Sequence, residues 1–216
     1  MASITDKRLI FILGNDGAGK TTAAAALALL ASRQGKRVLV VSTDPGQRLG
    51  HTFAWEIGEQ GAAVCAGVHA LEIDSAKEET LFERICTLIE DAEDYYDLVI
   101  FDNAPMASAT TDLSSECQAL FERCQRRFQN PDNTALLFVM TADSASVKSA
   151  ASALESLSAS ALPLQGLLIN KTLPENSPIS GKLSEHPQYC LPLMPTEIHG
   201  IGALQQIAVL LQQSGL

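Results

Sequence analysis

The sequence predicts an α/β chain: a mostly parallel sheet of about seven strands, flanked by helices on both faces. Short apolar runs alternate with longer amphipathic ones, the pattern of a parallel sheet covered by helices. Two of the short runs, Leu98-Val99-Ile100-Phe101 and Leu136-Leu137-Phe138-Val139, are unbroken, as expected of strands buried on both faces. A glycine-rich segment at Gly14–Gly19 divides the first apolar run from an alanine-rich one.

In chain order, strands are predicted at Arg8–Leu13, Arg37–Ser42, Val68–Ile73, Asp97–Asp102, Ala135–Thr141 and Leu164–Asn170, with a short seventh at Tyr189–Leu193. Helices are predicted at Lys20–Gln34, Ser75–Asp91, Thr110–Gln129, Ser144–Ser160 and Gly202–Gln213. In the last helix Leu204, Ile207, Ala208 and Leu211 share one apolar face, which should dock on the body of the fold. Its polar side has no Lys or Arg, so it does not read as a membrane-surface helix. Thr110 and Thr111, near Asp112, read as helix caps. Glu78-Glu79 and Glu90–Asp94 read as solvated faces. The segment Lys171–Gln188, with Pro174, Pro178, Gly181 and Pro187, is an excursion between the last two strands. No repeat or linker divides the chain, and a single domain over 1–216 is expected.

With 46% hydrophobic and 19% charged residues, the 216-residue chain can bury a sizeable core, which excludes a disordered reading. Its formal net charge of -10 disfavours nucleic acid and anionic lipid as partners. The five cysteines form no C-x-x-C pair and are odd in number, against a disulfide scaffold or a structural zinc site. Cys117 and Cys124 share an apolar stripe with Leu113, Leu120 and Phe128 and read as core. Met1–Arg8 lacks the apolar stretch of a secretory signal, and no run has the length and apolarity of a membrane span. A reducing cytoplasmic setting without direct membrane insertion is expected. His69, His186 and His199 form no metal-ligand spacing. Trp55 reads as a packing residue or as a reporter of ligand state.

Gly14-Asn15-Asp16-Gly17-Ala18-Gly19-Lys20-Thr21 fits G-x-x-x-x-G-K-[ST], the Walker A pattern of a phosphate-binding P-loop. Glycines let the backbone wrap a polyphosphate with its N–H groups turned inward. Lys20 is placed to reach the β- and γ-phosphates, and Thr21 to ligate Mg²⁺. Thr22 opens the following helix, whose N-terminus favours the same anion. ATP and Mg²⁺ are therefore the expected cofactors. Asp102 closes a hydrophobic strand where such folds hold the Mg²⁺ shell. Asp44, in Ser42-Thr43-Asp44-Pro45, follows the second strand at the carboxyl edge, where open α/β sheets bind ligands. It reads either as a turn residue or as a group that orients the attacking water or the metal's waters.

Ser42-Thr43-Asp44-Pro45 and Phe101-Asp102-Asn103-Ala104-Pro105 resemble the two switch segments of the ArsA-type anion-transporting ATPases. That family includes the ATPases that target tail-anchored membrane proteins. Leu71-Glu72-Ile73-Asp74, Leu168-Ile169-Asn170-Lys171-Thr172-Leu173-Pro174 and Leu191-Pro192-Leu193-Met194-Pro195-Thr196-Glu197-Ile198-His199-Gly200 follow in the family's order, so the resemblance spans nearly the whole chain. It implies that Asn170 reads the adenine edge, that Pro192–Ile198, including Pro195, closes over the base, and that Asp44 and Asp102 belong to switches I and II.

Four departures accompany the resemblance. Asn15 stands where the family carries a second lysine that crosses a dimer to the partner's nucleotide. His51 stands where the family has an acidic water-orienting residue; a neutral imidazole is a possible general base. The long helical insertion that holds hydrophobic clients is absent, only Met106–Asn133 separating switch II from the next strand. The zinc-bridging C-x-x-C pair is absent too. Three functions remain open: a slowly hydrolysing ATP switch that acts through a homodimer, a heterodimer with a related ATPase or an unknown client protein; a catalytically weak nucleotide-binding subunit of such a heteromer; and a nucleoside monophosphate kinase. The kinase reading lacks the Asp-Arg pair and the arginine-rich lid that its family requires.

Overall fold

The structure is a computed structural model that describes residues 3–44, 46, 48–74, 81–103, 115–158, 161–174 and 179–216; the side chains of 115–117 and 158 are not described. The described residues build one eight-stranded sheet. The elements are β1 (Leu9–Gly14), α1 (Lys20–Arg33), β2 (Val38–Ser42), α2 (Arg48–Phe53), β3 (Ala62–Cys65), β4 (Val68–Glu72), α3 (Leu81–Ala92), β5 (Leu98–Asp102), α4 (Ser115–Gln129), β6 (Thr134–Thr141), α5 (Ser144–Ser158), β7 (Leu164–Thr172), β8 (Gln188–Pro192) and α6 (Gly200–Gln213). Single 3-10 turns lie at Ile4–Asp6 and Gly181–Glu185. The strand order is β3-β4-β2-β5-β1-β6-β7-β8. Every pairing is parallel except β3 with β4.

β1 alternates its side chains between two cores, as a strand covered on both faces must. Ile10 and Ile12 join the cluster under α1 and α6, while Leu9 and Phe11 join the one under α3 and α4. A third cluster packs α5 on β6 and β7 through Phe138, Met140, Ala150, Leu154, Leu167 and Ile169. α1 is buried from Ala23 to Ala31 because it is enclosed between the sheet and α6. That enclosure explains why its sequence is apolar all round and why small alanines dominate it. The predicted face of α6, Leu204, Ile207, Ala208 and Leu211, is buried against it.

The sheet has eight strands where the sequence suggests about seven. The additional one, β3, is a four-residue antiparallel edge whose register shifts between Ala63 and Cys65. α2 and the 3-10 turns were likewise not expected. Trp55 is 50% exposed, so the packing reading does not hold. Cys124 is buried as expected, its partner across the α3–α4 interface being Cys86. The expected caps Thr110, Thr111 and Asp112, together with Glu78, Glu79, Leu113, Ala104, Pro105, Pro45 and the side chain of Cys117, lie outside the described residues.

Candidate nucleotide site

β1 is flanked by β5 and β6 in the middle of the sheet, and its carboxyl end delivers the glycine loop to the centre of the strand tips. Gly14 has φ 146°, and a Cβ there would stand 1.9 Å from the Val139 carbonyl oxygen. That glycine is required for the turn to pass β6. Gly19 enters α1 with φ 96° and leaves the helix N-terminus without a side-chain cap. The first-turn N–H groups of α1 are thus open to a ligand.

Lys20 folds back over the loop. Its ammonium donates to the carbonyl oxygens of Gly14 and Asn15, both at 3.2 Å, and lies 3.5 Å from Asp16 Oδ1. Other side chains brace the loop from outside. Asn15 Nδ2 donates to Ser146 O at 2.8 Å and to Ser146 Oγ at 2.5 Å, which pins the loop to the first turn of α5. Asn170 Nδ2 donates to Ala18 O at 2.8 Å, and Lys171 Nζ to Gly17 O at 3.0 Å.

The carboxylates converge on the same place. Asp102 is 1% exposed and accepts a hydrogen bond from Ser42 Oγ at 3.2 Å through Oδ2. Its Oδ1 is buried without a hydrogen-bond partner among the described residues. Burial pushes the Asp102 carboxyl above the usual carboxylate range and the nearby Asp44 charge adds to this, while the Thr21 and Ser42 hydroxyls and Lys20 pull it back. Asp44 accepts from the Gly46 N–H at 2.8 Å and lies 3.7 Å from Arg48 Nε. Thr43 donates its hydroxyl to the Asn103 carbonyl, and the Asn103 N–H reaches Ile12 O at 3.1 Å, which ties together the ends of β2, β5 and β1. Asn103 adopts φ 64°, a left-handed conformation that asparagine tolerates, so the chain turns sharply right after Asp102.

Between these groups and the loop after β8 lies a cavity of about 580 Å³. Gly17, Gly19, Lys20, Thr21 and Thr22 form its floor, Asp44 and His51 one wall, and Asn170 with Pro192–Ile198 the other. Its size is that of cavities that hold small ligands, roughly 300–1,000 Å³. Of the sequence-predicted site residues, Gly14, Asn15, Asp16 and Ala18 contribute the loop backbone without lining the cavity, and Asp102 lies beneath its floor beside Thr21. His51 is exposed at the rim, its ring 4.9 Å from that of His199, which the sequence had placed in no constellation. Three residues had no role assigned from the sequence, although Glu72 and Lys171 lie in segments that carry the resemblance. Arg48 and Lys171 add positive charge to the cavity, and Glu72, 5% exposed, accepts the Gly50 N–H at 3.0 Å and fastens α2 to β4. A lone glutamate closing an apolar strand at the carboxyl edge was the available signal for Glu72.

A family model described as anion-transporting ATPase matches residues 7–91 and 106–182 of this chain. The chain belongs to the anion-transporting ATPase family. The matched segments carry the glycine loop, Asp44, His51 and Asn170; Asp102 falls in the gap between them and Pro192–Ile198 beyond them. The chain is 46% identical over 67 residues to an arsenical pump-driving ATPase of Escherichia coli, a match covering 30% of this chain and 12% of that protein. It is 32% identical over 130 residues to the ATPase ASNA1 homolog 1 of Paramecium tetraurelia, covering 44% of this chain and 40% of that protein. The matches thus span well under half the length of these relatives. Membership agrees with the eight-stranded, mostly parallel sheet and its central glycine loop. No described helix is long and apolar enough to cross a membrane.

The donor set fits a hard divalent cation. Asp102 Oδ1 is an orphaned buried oxygen, and its neighbours Thr21, Ser42 and Asp44 offer only oxygen. Among the described residues no three His, Cys, Asp or Glu side chains form a self-sufficient metal cluster. Magnesium commonly completes its octahedron with waters and phosphate oxygens. Thr21, Asp102 and Asp44 are the residues suited to hold it.

Proposed function

We propose that the chain binds ATP with Mg²⁺ in the cavity at the strand tips and hydrolyses it slowly, as a switch whose output is a change in contact with a second copy, a related ATPase or a client protein. The observation that carries this reading is the convergence of the Lys20 ammonium on the glycine loop with the orphaned Asp102 oxygen behind Thr21. Such a pairing has no purpose in a closed structural core, where an unpartnered buried carboxylate costs free energy. It suits a site in which a polyphosphate and its cation complete the coordination.

In this reading the loop N–H groups and the first turn of α1 bind the phosphates, and Lys20 moves from the loop carbonyls onto the β- and γ-oxygens. A magnesium ion held there would supply positive charge to offset the charge that develops in transfer. Thr21 and Asp102 would hold that cation, and Asp44 would orient the water that attacks the phosphate. His51 stands at the rim as the candidate base for the attacking water. Asn170 and the Pro192–Pro195 segment flank the purine. The kinase alternative loses support, because Arg123 and Arg127 pair with Glu90 and Glu93 and neither lines the cavity.

A second reading, a nucleotide-binding subunit with little turnover that pairs with a complete relative, is favoured by Asn15, whose amide is engaged by Ser146 and offers no cation to a partner. Phosphate release by the purified chain, compared with Lys20→Ala, tests the first reading: a Lys20-dependent rate supports it, and equal rates overturn it. Micromolar calorimetric binding of ATP without turnover selects the second. Light scattering with and without ATP and Mg²⁺ reads the assembly step.

A further inference from the structure

We propose that Arg48 reads the terminal phosphate of the nucleotide from within this chain, taking the place of the cation that Asn15 does not supply. The inference rests on the reading above that the cavity holds a nucleoside triphosphate.

Among the described residues, three cations border the cavity, and they occupy different places. Lys20 sits on the loop itself, shared between the Gly14 and Asn15 carbonyls. Lys171 is fastened to the Gly17 carbonyl beside Asn170. Arg48 stands on the facing wall, next to Asp44. The backbone beneath it is well anchored. Leu49 and Phe53 are buried, Thr52 Oγ1 donates to Arg48 O at 2.8 Å, and Glu72 holds the Gly50 N–H. The side chain, in contrast, is 66% exposed, and its Nε lies 3.7 Å from Asp44 Oδ2, beyond hydrogen-bond length. A fixed base with a loosely held guanidinium is the arrangement that lets a planar fork swing onto an anion.

Asp44 makes the movement an exchange. Without nucleotide, the guanidinium offsets the Asp44 charge that weighs on buried Asp102. A terminal phosphate carries more charge than one carboxylate and presents a better bidentate face, so it draws Arg48 away. Asp44 is then free to face the oxygen cluster of Thr21 and Asp102. Loss of the terminal phosphate reverses both steps. Because α2 packs on α1 and α6, and His51 meets His199 at the start of α6, the exchange is coupled to both walls of the cavity. Arg48 therefore discriminates ATP from ADP, which Lys20 alone, reaching both β- and γ-phosphates, does poorly.

The test is calorimetry on the full chain with ATP and ADP, each in Mg²⁺ and in EDTA, for wild type, Lys20→Ala, Arg48→Ala and Arg48→Lys. Arg48→Ala should lose about tenfold or more in ATP affinity, the scale of one charged hydrogen-bonding group, and keep its ADP affinity within about twofold. Arg48→Lys should recover part of the loss, because it restores charge without the fork. Melting of each variant without nucleotide checks that it folds; Arg48 is exposed and its loss should leave the midpoint in place. If wild type binds ATP and Lys20→Ala does not, but Arg48→Ala keeps the full preference for ATP over ADP, the role given to Arg48 is wrong and the nucleotide site stands. If wild type binds no nucleotide, the reading of the site fails and the role of Arg48 with it.

Discussion

Replacing Asp102 with asparagine should make the ligand-free protein more stable and the liganded protein less so. The carboxylate is 1% exposed, with one oxygen held by Ser42 Oγ and the other without a partner among the described residues. An unsatisfied buried polar group costs about 1–3 kcal/mol, and a charged one more. Asparagine keeps an acceptor for Ser42 and removes the charge, but it leaves an amide to be satisfied in the same place. The net gain is therefore about 1–2 kcal/mol. For a chain of 150–250 residues each kcal/mol moves the midpoint by about 2–4 °C, so the melting temperature in EDTA should rise by about 2–8 °C. The pH dependence has a definite sign. The folded-state pKa of Asp102 is raised, so the native state binds this proton more tightly than the unfolded chain does. Ionisation costs stability as pH rises through the unfolded value, about 3.9, up to the folded one, and the cost is constant above that. The variant lacks this contribution, so its advantage appears at neutral pH and shrinks on acidification. Differential scanning fluorimetry in EDTA, in Mg²⁺ and in Mg²⁺ with ATP reads all of this, with wild type gaining on Mg²⁺ and ATP and the variant not. A variant that melts lower than wild type in EDTA, or that keeps the full ligand response, would refute the account of a carboxylate strained for binding.

Two further predictions concern the frame around the site. Gly14→Ala should fail to accumulate as folded protein or should melt far lower, since its Cβ would stand 1.9 Å from Val139 O at φ 146°; expression with a melting scan checks it, and a midpoint close to wild type would contradict the packing described. Arg37 holds the Asp97 carboxyl down to about 2, through hydrogen bonds at 2.8 Å from its N–H and 3.2 Å from its guanidinium. The stability this adds is present above the ordinary carboxylate value and is lost as pH falls toward about 2; because the pair is well exposed it is small, so Arg37→Ala should lower the midpoint slightly at neutral pH and the difference should vanish in acid melts.

Much of the fold was legible because the sheet is buried on both faces. Runs such as Leu98–Phe101 have few other readings, and the seven expected strands all appear within two residues of their predicted bounds. β3 was not legible, because Ala62-Ala63-Val64-Cys65 is short, weakly apolar and irregular in register at an edge. α2 was hidden for a different reason. It has six residues with Gly50 in their midst, too few to show a period, and its stability comes from Leu49 and Phe53 in the core and from Glu72 across the sheet. The phosphate loop could be read from spacing because its chemistry is local. Of the cavity walls, Asn170 and Pro192–Ile198 were legible only through the family resemblance and Arg48 not at all, because the segments that follow β2, β7 and β8 come together only once the sheet is assembled.

Asn15 then decides which part of the site is able to move. A lysine at that position would carry a long, mobile cation outward. The asparagine is short, and both hydrogen bonds of its side-chain amide go to Ser146, whose N–H is itself held by Asp143 at the start of α5. Asn170 and Lys171 fasten the opposite side of the loop through Ala18 and Gly17. The phosphate loop is therefore clamped from two strands of the sheet, β6 through α5 and β7 directly, and has little freedom to respond to what it binds. Across the cavity, α2, the first helix after β2, presents Arg48 and His51 on an exposed face. In the switch proposed above, a change in the number of phosphates would register there, on the side that contacts α6, with the rigid loop as the reference against which it moves.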